Sequence, residues 1–376
     1  MSYRALLHET RPSLLLFGFL ARLPYAMSSL TTLMLLQSAT GSYGFAGAAA
    51  GAQSLATGAG GLVVGRLTER AGLRRIGALT AVANAAALTA LVAATHIGRP
   101  AMAGAAIATG LAQAQVGALI RAHWSQLARS RPGLLTTALS YEAAVDETSF
   151  IAGPAIVGLL AAVTTPLPAL AGAAVLLLAG LPLARRYADP EPGPDRRTTL
   201  PPLPVTPLAT LVVAMALLGA IFGVLQVAVT AYAGDPGSAG LLYAGLGAGS
   251  ALAGLACGWL PARFGAVARY RTFAAGLLAG MALIAFGETM LPVAIVLAGA
   301  TIAPYMISVY TLAERASAGR VAVALTIVGA GGPVGTATGQ AAAGLLIDSH
   351  GPHAAFLLTP ALAAAALLVA HSPRSS

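Results

Sequence analysis

The charged stretch Gly65-Arg66-Leu67-Thr68-Glu69-Arg70-Ala71-Gly72-Leu73-Arg74-Arg75 separates two long apolar runs, and a related stretch occurs about halfway down the chain. The second copy is Gly258-Trp259-Leu260-Pro261-Ala262-Arg263-Phe264-Gly265, followed by Arg269 and Arg271. Gly65, Leu67, Arg70 and Gly72 map onto Gly258, Leu260, Arg263 and Gly265 with a constant offset of 193. A repeat of that period means two related halves, and both copies read as short loops between apolar segments.

Of 376 residues, 57% are hydrophobic and 9% charged, with a mean hydropathy of +0.80. So few polar residues cannot cover a water-exposed surface, so lipid is the expected solvent. Segments of ~20 apolar residues span a bilayer. Twelve are found: 12–36, 44–64, 76–95, 100–122, 134–163, 166–184, 206–232, 238–260, 272–288, 291–312, 321–347 and 353–371. The first has no evident cleavage site and reads as a retained span. The expected fold is an all-α membrane protein, with twelve transmembrane helices in two pseudo-symmetric six-helix bundles. The bundles are 1–184 and 206–376, joined by a Pro-rich, charged cytoplasmic linker over 185–205.

The net charge of +9 comes from 21 basic residues, all Arg. Arg4, Arg11, the Arg66 to Arg75 group, Arg121, Arg129, Arg131, Arg185, Arg186, Arg196 and Arg197 fall on one side. So do Arg263, Arg269, Arg271, Arg315, Arg320 and Arg374. Arg99 alone lies in a loop of the other side, and Arg22 lies within a span. The positive-inside rule then puts both termini in the cytoplasm of a cell inner membrane. Dispersed over short loops, the basic residues give no nucleic-acid face. The lone Cys257 excludes an intrachain disulfide. His8, His96, His123, His350, His353 and His371 sit at span ends or in loops without metal spacing or a nucleophile–base grouping, so neither an enzyme nor a cofactor is expected. Gly331-Gly332-Pro333-Val334-Gly335 lacks the ending of a phosphate loop and reads as a flexible point of span eleven.

Charges inside spans are costly, and are paired or functional. Arg22 lies ~15 Å into span one, and Glu142, Asp146 and Glu147 lie ~12–20 Å into span five, at 1.5 Å per residue. Glu142 and Asp146 share a helix face, with Glu147 turned ~100° away. Arg22 is expected to pair with Asp146 or Glu147. The cluster serves either as a static salt bridge or as the site of a coupling proton carried by the carboxylate left without a full partner.

The whole chain resembles the major facilitator superfamily. Gly65, Leu67, Arg70, Gly72, Arg74 and Arg75 fit that family's motif between spans two and three, with Glu69 in its Asp position and Leu73 in place of a base. The resemblance implies that Glu69 engages the N-terminal end of span eleven and latches the cytoplasmic side in the outward-open state, as suits a carboxylate near a helix N-terminus. Gly153, Pro154 and Gly158 in span five resemble the motif of drug:proton antiporter-type exporters, whereas Ala106 stands where their span-four motif carries Arg. Spans one, four, seven and ten line the central cavity in this family. Tyr25, Gln113, Gln226 and Tyr305 are the implied substrate contacts, among a set that also holds Ser28, Ser29, Gln115, Ser308 and Tyr310. The implied function is a monomeric secondary transporter that moves a small organic molecule by alternating access, with proton-coupled efflux favoured. The alternatives are proton-coupled uptake and a non-transporting scaffold or receptor on the same fold.

Overall fold

The computed structural model describes residues 12–127, 134–187, 203–261, 264–287 and 290–372. Arg4, Arg11, Arg129, Arg131, Arg196, Arg197, Arg263 and Arg374 lie outside the described residues, as does the linker over 188–202. The twelve expected spans are twelve helical runs, and no strand occurs among the described residues. In order these are α1 Pro12–Thr40, α2 Tyr43–Ala71, α3 Leu73–Ala94, α4 Arg99–Gln126, α5 Leu134–Val163 and α6 Leu167–Ala184. There follow α7 Val205–Ala233, α8 Pro236–Trp259, α9 Ala266–Phe286, α10 Leu291–Arg315, α11 and α12 Pro352–His371. Helix α11 comes in two pieces, Val321–Gly329 and Gly331–His350, broken beside the glycines singled out in the sequence.

The repeat is carried into backbone geometry. Gly41 and Gly234, 193 residues apart, both take the left-handed conformation, with φ of 69° and 72°, and both end a helix. The next residues, Ser42 and Asp235, both cap the following helix. Ser42 Oγ accepts from Phe45 N at 3.0 Å, and an Asp235 carboxylate oxygen accepts from Ser238 N at 2.8 Å. Only glycine adopts such a φ without a Cβ clash, and a side-chain acceptor there satisfies an orphan N–H of the first turn.

The charged segment is not a loop. Helix α2 continues through it to Ala71, and Gly72, at φ 85°, makes the whole connection to α3 at Leu73. The segment is polar but contains no helix breaker before Gly72, so the helix runs on past its apolar stretch. In the second copy Pro261 follows one residue after the short 3-10 turn Cys257–Trp259, so that α8 ends earlier.

Among the described residues, ten of the twelve helices are long and apolar enough to cross a membrane alone; α2 and α11, the latter broken into two pieces, are not among them. Helix α2 and the longer piece of α11 are rich in Gly and Ala, and they pack on one another between the bundles. A Cβ on Gly51 would stand 2.7 Å from the carbonyl oxygen of Ala337. The two-fold related contact joins α5 to α8, where a Cβ on Gly158 would stand 2.8 Å from the Gly240 Cα. Small residues let these backbones touch, which is how membrane helices associate where lipid provides no hydrophobic drive.

The bundles therefore meet at the end that holds Ser42 and Asp348. Toward the other end, α2 and α11 are last close at Gly58 and Pro333, where a Cβ would lie 3.6 Å away. Beyond that, Gly65 and Gly258 have open space beside them, and Leu67, Glu69 and Arg70 are exposed.

Candidate functional site

Two broken helices build a polar site inside the first bundle. Pro24 lacks an N–H and crowds the carbonyl of the preceding turn, so α1 is interrupted at Ala21 and Arg22. Helix α4 is interrupted over residues 112–115, which include Gln113 and Gln115. The Arg22 side chain enters the bundle from the first break and is 3% exposed.

Its Nη2 donates to Glu142 Oε2, and its Nε lies 3.0 Å from Asp146 Oδ1. Trp124 Nε1 donates to Glu142 Oε1 at 2.8 Å, which leaves both oxygens of this buried carboxylate bonded. Arg121 Nη1 donates to Asp146 Oδ2 at 2.6 Å. Gly117 makes the room: a Cβ there would meet Arg121 Nη2 at 3.2 Å and Arg22 Nε at 3.5 Å. The result is a chain of alternating charge, Glu142–Arg22–Asp146–Arg121, buried at Glu142 and open at Arg121. A cavity of about 210 Å³ adjoins it, with Tyr25, Gln115, Ser149 and Phe150 on its wall. The Tyr25 and Phe150 rings meet edge to face at 6.4 Å.

The sequence led us to expect Asp146 or Glu147 as the Arg22 partner. Glu142 takes the buried position, Asp146 the second, and Glu147 neither. The helical period fixes which carboxylates share a face but not how α5 is rotated against α1. Arg121, placed by the sequence among the loop arginines, is a member of the network, because α4 continues as a helix well past its break.

A second polar group joins the bundles at the centre. Ser29 Oγ donates to Gln226 Oε1 at 2.9 Å, and Gln340 Nε2 donates to Ser29 Oγ at 2.8 Å and also to Gln226 Oε1. Ser54 Oγ donates to Gln340 Oε1 at 3.3 Å. Helices α1, α2, α7 and α11 thus share one amide–hydroxyl cluster. Gln226 was expected in the cavity; Gln340 and Ser54 were missed. A glutamine within a Gly/Ala-rich helix is the signal that points to them.

Tyr305 is 0% exposed, its ring lies tilted 5.6 Å from that of Tyr270 and its hydroxyl donates to Ala214 O at 3.5 Å, so in this structure it packs in the core of the second bundle. Gln113 is likewise buried, at 2%. Tyr25 is 39% exposed and faces open space. Glu69 is exposed and makes no ion pair or hydrogen bond among the described residues. Arg74 is held by Tyr187 O at 3.0 Å, and Leu67, Arg70 and Arg75 are exposed. Gly153 and Pro154 lie where α5 meets α1 and α8: a Gly153 Cβ would touch Ala26, and Pro154 O faces Gly240.

Residues 208–375 match the sequence profile described as the Major Facilitator Superfamily. Among curated protein sequences nothing matches the chain. Solved structures match almost end to end. The nucleoside transporter NupG is similar at TM-score 0.73 and 16% identity, over 95% of this chain and 96% of that one. A bacterial homologue of the iron transporter ferroportin, in an inward-facing state, is similar at TM-score 0.70 and 14% identity, over 95% and 97%. The human organic anion transporter MFSD10 is similar at TM-score 0.61 and 18% identity, over 96% and 98%. These proteins are transporters and not enzymes. The chain is a multi-pass membrane protein with the twelve-helix, two-bundle fold of major facilitator transporters.

Proposed function

We propose that this protein is a secondary active transporter that moves a small organic molecule across a cell inner membrane by alternating access, coupled to inward proton flow and working in export. In this reading the halves 1–184 and 206–376 rock about the centre, with both termini cytoplasmic. The structure then corresponds to an inward-open state: the Ser42–Asp348 end is the outer one, and the Glu69 end faces the cytoplasm.

One observation carries the proposal. A charge network is held at mid-span by two interrupted helices, beside a cavity, in a molecule whose bundles are joined at one end and parted at the other. Ionisable groups at that depth persist where they serve a pathway or a proton relay, and broken helices at mid-membrane mark transporter sites. The aromatic and amide groups around the cavity suit an amphipathic organic compound. Gly153, Pro154 and Gly158 in α5 favour export.

The test is a proteoliposome assay with an imposed pH gradient, reading lumenal pH as candidate compounds are added. Substrate-dependent proton movement lost in an α5 amide variant supports coupled transport, and its direction relative to substrate flux decides export from uptake. A compound that binds without moving protons in any variant sinks the proton-coupled reading.

A further inference from the structure

Glu147 is the carboxylate of α5 that the charge network leaves out, and the stripe of α5 to which it belongs is the one that meets the other bundle. Gly158, Pro154 and Ile151 all touch α8: a Gly240 Cβ would lie 2.6 Å from Pro154 O, and a Gly247 Cβ would lie 3.4 Å from Ile151 Cγ1. Stepping down that stripe by the helical period, the next residue is Glu147. On α8 the stripe runs from Gly240 through Gly247 to Ala251, while Gly254 faces Ala303 of α10. Glu147 is exposed, with no ion pair or hydrogen bond among the described residues.

Resting on the alternating-access reading, we infer that Glu147 is a proton-binding site, occupied when the Glu69 end closes and α5 meets α8 along its whole length. Closing carries the carboxylate out of water against Ala251. A lone carboxylate so buried is far costlier than its neutral acid, so the closed form takes up one proton.

No facing group offers a substitute counter-charge. On α5 the neighbours are Asp146 and Glu142, both acidic. On α1, Arg22 is engaged by Glu142 and Asp146, and Tyr25 is neutral. On α4, Arg121 is engaged by Asp146. Helix α6 has no ionisable side chain, and residues 236–256 of α8 carry only Tyr243. In the second bundle, Arg269 is tied to the carbonyls of Leu260, Pro261 and Phe264, and Glu314 and Arg315 sit at the far end of α10.

The experiment uses the full chain in nanodiscs, with spin labels at Leu67→Cys and Trp259→Cys in a Cys257→Ala background. The distance between labels is read from about pH 8 to about pH 5. The closed-to-open ratio is expected to rise as pH falls, by about tenfold per pH unit where one proton is taken up on closing. Glu147→Gln is expected to be biased toward closure and to lose that slope, while Glu147→Asp keeps it. An unchanged slope in Glu147→Gln overturns the assignment to Glu147 alone. Closure that weakens as pH falls also overturns it, since Glu147 would then be meeting a cation such as Arg315. A distance distribution that is the same at every pH and with every compound overturns the alternation itself.

Discussion

Asp348, near the end of α11, caps the first turn of α2 beside Ser42, across the boundary between the bundles. Its carboxylate accepts from Ser42 Oγ at 2.7 Å, Tyr43 N at 2.8 Å and Gly44 N at 2.9 Å. The cap therefore has two contributors, Ser42 from within the first bundle and Asp348 from the second. Only the second can be withdrawn when the bundles part.

Asp348→Asn keeps the shape but replaces one acceptor oxygen with a donor. The Ser42 end is then expected to open more readily, by about 1–3 kcal/mol, or about five- to 150-fold in population. Reactivity of a cysteine placed at Tyr43 in a Cys257→Ala background toward an impermeant thiol reagent reads this directly. A rate equal to that of the same cysteine with Asp348 intact rejects the latch.

The Arg22–Glu142 pair is buried on both sides. Arg22→Met strands the Glu142 carboxylate and is expected to cost about 3–5 kcal/mol of stability, Glu142→Leu leaves Arg22 with Asp146 and costs less, and the double variant Arg22→Met/Glu142→Leu recovers most of the Arg22→Met loss. Thermal unfolding in one detergent supplies the cycle. A double variant as unstable as the sum of the singles would mean that the two act apart.

Gly51 and Gly158 are contact points where no side chain fits. Gly51→Leu and Gly158→Leu are each expected to wedge the Ser42 end open, with the protein still inserted in the membrane. Loss of a cross-link between cysteines at Ser42 and Asp348 is the readout, and an unchanged cross-link yield rules out the packing argument.

Asp235 lies in the short connection before α8, where the Ser238 backbone N–H holds its carboxyl below the usual carboxylate range. A lowered carboxylate contributes above its unfolded pKa and loses that contribution as pH falls through the folded value. The α8 cap is accordingly expected to fail in acid, while Asp235→Ser, which copies Ser42 of the first bundle, is expected to remove that pH dependence. Hydrogen exchange at the Ser238 amide measures it.

The apolar runs and the 193-residue repeat made most of the fold legible in the sequence, because lipid imposes a length on every helix. The same signal misled at Gly65 to Ala71. Hydropathy reports where lipid stops, whereas helix continues until a residue such as Gly72 ends it. Side-chain rotation was the second blind spot. Span ten was expected to face the cavity, but nothing local tells that Tyr305 turns inward onto Tyr270. The Ser29–Gln226–Gln340 cluster was hidden for a related reason: its members are 114 to 311 residues apart and meet only when the bundles assemble.

The low hydropathy of α2 and of the longer piece of α11, Gly331–His350, has a consequence for how the chain enters the bilayer. A helix made largely of glycine and alanine gains little from hydrocarbon, and each such segment depends on strongly apolar neighbours to stay inserted. Helix α2 emerges just after α1 and has no second-bundle partner until nearly the whole chain is made. Helix α11 emerges next to last and finds α2 and α7 already waiting. Biogenesis of the second bundle is thus completed on a surface that the first bundle supplies, and the glycine-rich helix of each half is matured by the other.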